Sequence, residues 1–277
     1  MGETPSFKIY KELNLRSSSL IVGWNEDAGR LGGKVIDYLN KKLSCEEFGE
    51  IEPVDFFPLG GVSVENDVAQ FPESKFYCCP GKSLVLFKSN TPRSDWHRFL
   101  HAIMDVAEHH CKAKEVYTIG GMVSLSAHTA ARELFAVFNS PKMKKALSQY
   151  DLSRDMDYET TPDQRPTLSS FLLWVAQNRN IQAASLWAPM PFYLLPTEDY
   201  AAYRKVVEFF DRRLSLDIDF GDLDEAVKRQ NEKIARVRFT FPEIDSYIRN
   251  LESNAALSQE ESDKLAKQLE EYLKRIE

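Results

Sequence analysis

The run Ser19-Leu20-Ile21-Val22-Gly23-Trp24 is apolar throughout, and Leu31, Val35, Leu39 and Leu43 then recur at every fourth position. A strand without polar alternation must be buried on both faces, which is the habit of parallel sheets. The four-residue recurrence predicts a helix with one apolar stripe, and Lys41-Lys42 suits its carbonyl end. Strand, polar turn and helix therefore succeed one another within the first fifty residues, with Asn25 and Asp27 placed to cap the helix. The same order returns further on. Ser83-Leu84-Val85-Leu86-Phe87 is a second buried run, followed after Thr91-Pro92 by a helical face of Phe99, Ile103 and Val106 beside Leu100, Met104 and Ala107. Val116-Tyr117-Thr118-Ile119 runs into Gly120-Gly121. A helix from Pro166 through Ala176 precedes the strand Ala183 to Ala188, and Ile51 to Phe57 and Phe76 to Cys79 read as further strands. Strands that alternate with helices predict an α/β fold with a mainly parallel sheet covered on both faces.

After Phe220-Gly221 the pattern changes. From Asp222 onward there is no Gly, Cys, His or Trp, and Pro242 is the one proline. Asp222 reads as the cap of a helix carrying Ala226, Val227, Ile234 and Val237. Pro242 suits the first turn of a second helix with Ile244, Ile248 and Leu251 on one side. Ser258 and Glu261 have the spacing of a capping box ahead of Leu265, Leu269, Tyr272 and Ile276. The expected organisation is an α/β domain over residues 1–220 and a helical C-terminal extension over residues 221–277.

Composition narrows the partners. The 277 residues are 43% hydrophobic and 28% charged, enough for a sizeable core. A net charge of −7 argues against nucleic acid and against an anionic membrane surface. No apolar run approaches the ~18 residues of a membrane span, and MGETPSFKIYKELN has no apolar region of a secretory signal. The four cysteines, Cys45, Cys78, Cys79 and Cys111, form no CxxC pair. They read as ordinary reduced thiols, so a cytoplasmic protein is expected.

Motifs of known chemistry are sparse. There is no GxxxxGK[ST], GxSxG or HExxH. Gly29-Arg30-Leu31-Gly32-Gly33 lies where a phosphate loop would follow the first strand, but its spacing fits small residues that let the helix approach the sheet. His97 and His101 are four apart on a helix with Asp105 and Glu108 on the same face, opposite the apolar stripe. A solvated polar face is the expectation, and no metal. Residues at the carboxyl ends of parallel strands line the usual crevice of open α/β sheets. Trp24, Asn25, Asp27, Gly120, Gly121, His128 and Trp187 are the candidates for that crevice, with His128 as the group capable of acid–base work. Trp187 to Tyr193, with Pro189 and Pro191, reads as a rigid aromatic segment suited to a protein surface.

The ordered set of these segments resembles the proteasome assembly chaperone two family in its prokaryotic branch. It comprises Leu20-Ile21-Val22-Gly23-Trp24 with Asp27-Ala28-Gly29, Asp55-Phe56-Phe57, Leu84-Val85-Leu86, the helix from Trp96, Ile119-Gly120-Gly121-Met122, His128, and Leu186-Trp187-Ala188 with Pro191-Phe192-Tyr193. The likeness covers about residues 17–215 and continues into the helical tail. It implies a three-layer fold similar to purine nucleoside phosphorylases. It also implies no fixed catalytic set, no cofactor, and, by analogy with eukaryotic relatives, a role in protein assembly. Asn25-Glu26 stands where a more glycine-rich turn is common, and Phe192 where a histidine is common.

The expected function is therefore a non-catalytic, assembly-chaperone-like protein that acts through self-association or a protein partner. The alternative is a nucleotide or nucleoside binder or enzyme using the strand-end crevice. An ATP-grasp-like ligase would be one such enzyme, although no metal-holding carboxylate–asparagine set accompanies a phosphate-binding lysine.

Overall fold

The computed structural model describes residues 6–57, 62–65, 67–153, 156 and 166–275. The chain opens with β1 (Phe7–Ile9) and β2 (Ser18–Trp24), all seven residues of β2 being buried. After a single turn of 3-10 helix at Ala28–Arg30, α1 (Leu31–Leu43) ends on Lys41 and Lys42. Then come β3 (Glu46–Ile51), the short strands β4 (Ser63–Glu65) and β5 (Val68–Gln70), β6 (Ser74–Cys79) and β7 (Leu84–Ser89). The helix α2 (Trp96–Asp105) starts on Asp95, whose carboxylate accepts from the Arg98 amide, and runs into a π-helical turn at Val106–His110. The central stretch holds β8 (Ala113–Ser124), β9 (Phe135–Phe138), α3 (Pro141–Ala146), α4 (Leu168–Asn178) and β10 (Gln182–Pro191). Among the described residues four further helices follow: α5 (Tyr200–Leu214), α6 (Gly221–Thr240), α7 (Pro242–Glu252) and α8 (Gln259–Arg275).

Eight strands form one sheet in the order β1-β3-β6-β7-β2-β8-β10-β9, and β4 and β5 pair separately. The strands foreseen at 19–24, 84–87, 116–119 and 183–187 all lie in it. β2 sits at the centre, parallel to β7 and to β8. The wing β1-β3-β6-β7 is antiparallel, so the sheet is mixed around a parallel centre.

The chain divides into two units. The first holds Met1–Glu26, Gly32–Gly120 and Phe135–Leu186. Here successive residues of β2 face opposite ways. Leu20, Val22 and Trp24 join Phe76, Val85 and Phe87 in a core closed by Phe99 and Ile103 of α2 and Leu172 and Val175 of α4. On the opposite face α1 comes so near that a methyl on Gly23 would lie 2.4 Å from the Gly32 carbonyl oxygen. Helices on both faces of a sheet make the three-layer α/β arrangement. The glycines of the first turn thus serve close helix packing, as their spacing suggests.

The second unit holds Asp27–Leu31, Gly121–Leu134 and Trp187–Glu277. Its core gathers Ala127, Tyr193 and Leu194 with Ile234 and Val237 of α6, Ile244, Ile248 and Leu251 of α7, and Leu265 and Leu269 of α8. Of the apolar positions foreseen in the tail, Ile234, Val237, Ile244, Ile248, Leu251, Leu265 and Leu269 lie in this core and Tyr272 packs against it; Ala226 and Val227 are half-buried and not part of it, and Ile276 lies outside the described residues. The capping box also forms. The Ser258 amide donates to Glu261 Oε2 (2.7 Å), and the Glu261 amide donates to Ser258 Oγ (3.3 Å).

Four expectations are corrected. The strand expected over Ile51–Phe57 lies earlier, at Glu46–Ile51, and Pro53–Asp55 is a 3-10 turn. Proline has no N–H for a ladder, and the acidic start of β3 hides it in the pattern. Asp222 lies inside the first turn of α6, and the cap position is Phe220. Asp27 precedes the 3-10 turn without capping it through its side chain. The thiols are not all reduced: Cys45 and Cys79 form a disulfide, while Cys78 and Cys111 are free. Antiparallel pairing of Glu46 with Cys78 brings Cys45 opposite Cys79 at the next position, and the pleat turns Cys78 to the other face.

Candidate functional site

Of the seven crevice candidates, Trp24, Asn25 and Gly120 belong to the first unit, and Asp27, Gly121, His128 and Trp187 to the second. Trp24 is a core residue, 5% exposed, whose indole N–H donates to Ser169 Oγ at the start of α4 (2.9 Å). Gly120 is buried within β8. Asn25 is half-buried, and its amide donates to the Ser89 carbonyl (2.9 Å). Its neighbour Glu26 accepts from Asn90 Nδ2 and from the Thr91 amide (2.6 Å), which ties the turn after β2 to the turn after β7. Among the described residues, Glu26 and Asn90 are thus first-unit polar groups that a pattern search had no reason to select, since neither sits in a motif.

In the second unit Asp27 accepts from the Gly121 amide through Oδ2 (2.8 Å). The two segments pass so closely that a methyl on Gly121 would fall 2.0 Å from the Ala28 carbonyl oxygen. Trp187 is half-buried within β10. His128 is fixed by Tyr193, which is fully buried. The His128 backbone N–H donates to the phenol oxygen (2.5 Å), and Nδ1 lies 2.9 Å from the same oxygen. A buried phenol O–H needs an acceptor, and Nδ1 provides one, so the hydrogen-bond pattern assigns the imidazole proton to Nε2. Burial, reinforced by the Arg238 and Arg132 cations and opposed by Glu252, pushes the His128 pKa down to about 4. Burial likewise raises that of Tyr193.

Two arginines hold the segment around His128. Arg132 Nε donates to Asp199 Oδ2 (2.9 Å), an ion pair with side chains only 7% and 0% exposed. Arg132 Nη1 also donates to the Ala130 carbonyl (2.9 Å). The other oxygen of Asp199 caps α5 by accepting from the Ala202 amide (3.1 Å). Arg238 pairs with Asp245 (2.7 Å) and with Glu252 (2.7 Å), and Glu252 accepts from Thr129 Oγ1 (3.1 Å). These carboxylates are neutralised, and the one imidazole is neutral and internally bonded. Such a cluster fixes a turn. It is not tuned to exchange protons near neutral pH, where an efficient general base titrates. Arg132 and Asp199 escaped the sequence reading, and Tyr193 was read only as part of a rigid aromatic segment, because the partners lie 65 or 67 positions apart.

The His97 and His101 rings lie tilted against one another with centroids 4.3 Å apart, and Arg179 Nη2 lies 2.7 Å from His101 Nδ1. His97 is exposed, as its spacing suggests, whereas His101 is half-buried beside Arg179, itself held by Asp105 (2.6 Å). A guanidinium at Nδ1 fits poorly with a metal ion there. Among the described residues no group of three or more His, Cys, Asp or Glu could hold a metal.

The family model described as PAC2 family matches residues 20–238, which takes in both the sheet and the His128 segment. The chain belongs to the PAC2 family. Solved structures with this PAC2 fold include Pyrococcus furiosus PbaB, described as an archaeal proteasome activator. It is 19% identical with a TM-score of 0.66, over 84% of this chain and 98% of that one. The Mycobacterium tuberculosis protein of unknown function Rv2714 is 18% identical with a TM-score of 0.76, over 92% and 90%. The M. tuberculosis proteasome-assembly chaperone homologue Rv2125 is 16% identical with a TM-score of 0.68, over 83% and 99%. At these identities the likeness speaks for the fold alone. No curated protein matches the chain.

Proposed function

We propose that this PAC2 protein is a non-catalytic cytoplasmic assembly factor that works by associating with itself or with a protein partner. The observation that carries the reading is the state of His128, the one acid–base candidate: it is bonded to Tyr193 and held neutral down to about pH 4. Family membership supports the same reading, since PAC2 relatives include an archaeal proteasome activator and proteasome-assembly chaperone homologues, whose business is with proteins. The second unit, with its helical extension from Gly221, exposes large apolar side chains at Val123 (56%), Leu125 (71%) and Phe239 (92%). Such side chains are available for contact with other chains. Sedimentation velocity of the full chain at micromolar concentration tests the proposal, with a species heavier than the 31.8 kDa monomer expected. A monomer that turns over a nucleotide or nucleoside, and loses that turnover in His128→Asn, would overturn it.

A further inference from the structure

The disulfide between Cys45 and Cys79 joins the two ends of a segment 34 positions long. Cys45 lies between α1 and β3, and Cys79 closes β6, so the bond fastens β3 to β6 where their ladder ends. The two residues differ in exposure: Cys45 is half-buried, whereas Cys79 is 1% exposed. Cys78 is half-buried on the opposite face of β6, packed against the core of the first unit. It is the sequence neighbour of Cys79 and yet is turned away from the bond.

We propose that Cys45 and Cys79 are a thiol–disulfide exchange pair for low-molecular-weight thiols of the glutathione type, entered through Cys45, and that this pair latches β3 to β6 within the antiparallel wing of the sheet. In reduction, an external thiolate attacks Cys45 Sγ and the Cys45–Cys79 bond breaks. Cys79 leaves as a thiolate and takes a proton from solvent. A second thiolate then attacks the external sulfur of the mixed disulfide and frees Cys45. Two external thiols become one external disulfide, and the protein disulfide gains two electrons and two protons. Oxidation runs the same steps backward, with Cys79 as the resolving thiol. Attack at Cys45 follows from access, because Cys79 Sγ lies in the interior. In the latched form β3 is held to β6 by a covalent bond and by its ladder; in the reduced form only the ladder remains.

The full chain is equilibrated in glutathione buffers of graded redox potential, and its intact mass and thiol-blocked peptides are recorded. A two-electron transition is expected, with a 2 Da difference and a Cys45–Cys79 linked peptide in the oxidised form. Cys79→Ser should trap one glutathione on Cys45, whereas Cys45→Ser should leave Cys79 unmodified over the same period. Cys78→Ser should titrate like the wild type, and amide hydrogen exchange over β2 in Cys45→Ser and Cys79→Ser checks that both are folded. Amide hydrogen exchange over Glu46–Ile51 should quicken on reduction while β2 stays protected. A glutathione adduct on Cys78 or Cys79 in place of Cys45 would overturn the proposal. Equal exchange over Glu46–Ile51 in the two redox states would also overturn it.

Discussion

Substituting Gly23 by alanine should separate α1 from the sheet. The added methyl would lie 2.4 Å from the Gly32 oxygen, 2.6 Å from Ile36 Cγ1 and 2.7 Å from the Gly32 carbonyl carbon. Two of these atoms are backbone, so relief requires the helix to move as a body by about 1 Å, since close-packed interiors hold little free space. That movement loosens Leu31, Val35, Ile36 and Leu39, all 0% exposed. Overpacking of this kind costs about 3 kcal/mol. For a chain of this size that lowers the melting temperature by about 6–12 °C. Gly33→Ala is the control. Its methyl would meet only the movable Asn25 Oδ1 (2.5 Å) at short range, and alanine within a helix gains about 1 kcal/mol over glycine. Gly33→Ala should therefore melt within a few degrees of the wild type. Thermal and guanidinium unfolding followed by tryptophan fluorescence reads both variants, with Trp24 adjacent to the perturbed site. A Gly23→Ala protein as stable as the wild type, or a Gly33→Ala protein that is the less stable of the two, would refute this account of helix packing.

The pH dependence of stability should carry the signature of His128. Its folded pKa of about 4 lies below the ordinary imidazole value of 6.5, so between these values the unfolded chain binds more protons. The contribution of His128 is present above about pH 6.5 and is lost as pH falls towards 4. In His128→Asn, which keeps an acceptor for the Tyr193 hydroxyl, guanidinium unfolding at pH 7 and pH 4.5 should differ less than in the wild type; an unchanged difference would count against the assignment. Arg132→Met should cost about 3–5 kcal/mol, because it leaves the buried Asp199 without its counter-ion. Adding Asp199→Asn should recover part of that loss, and a loss below 1 kcal/mol for Arg132→Met alone would show that the pair is not buried as described.

What the sequence made legible follows its local periodicity. β2, β7, the Ile119-Gly120 end of β8 and α1 are strong short-range patterns, and so is the Ser258–Glu261 capping box. β3 escaped because two glutamates begin it and its burial comes from β6, which arrives 23 residues later. The disulfide escaped for the same reason, since only the register of β3 on β6 brings Cys45 opposite Cys79. Among the site candidates, the sequence placed His128 near the end of a buried strand. It could not show that a tyrosine 65 residues on had already taken its Nδ1. Trp24 looked like a rim residue because it ends an apolar run, whereas its indole N–H finds Ser169 in the interior.

The second unit collects its parts from three places along the chain, Asp27–Leu31, Gly121–Leu134 and Trp187–Glu277. During synthesis the first two pieces leave the ribosome long before the residues they pack with. Ala127 must wait for Tyr193, then for Ile234 and Val237, and at last for Leu265 and Leu269. Translation runs at roughly 5–20 residues per second, so about 140 residues of delay correspond to roughly 7–28 s in which the Gly121–Leu134 piece lacks its core. The first unit has most of its strands available by Leu186, whereas the second unit closes only when α8 emerges. Stalling or cleavage before α8 therefore leaves a nascent chain whose second unit displays Tyr193, Ile234 and Ile248 to other proteins.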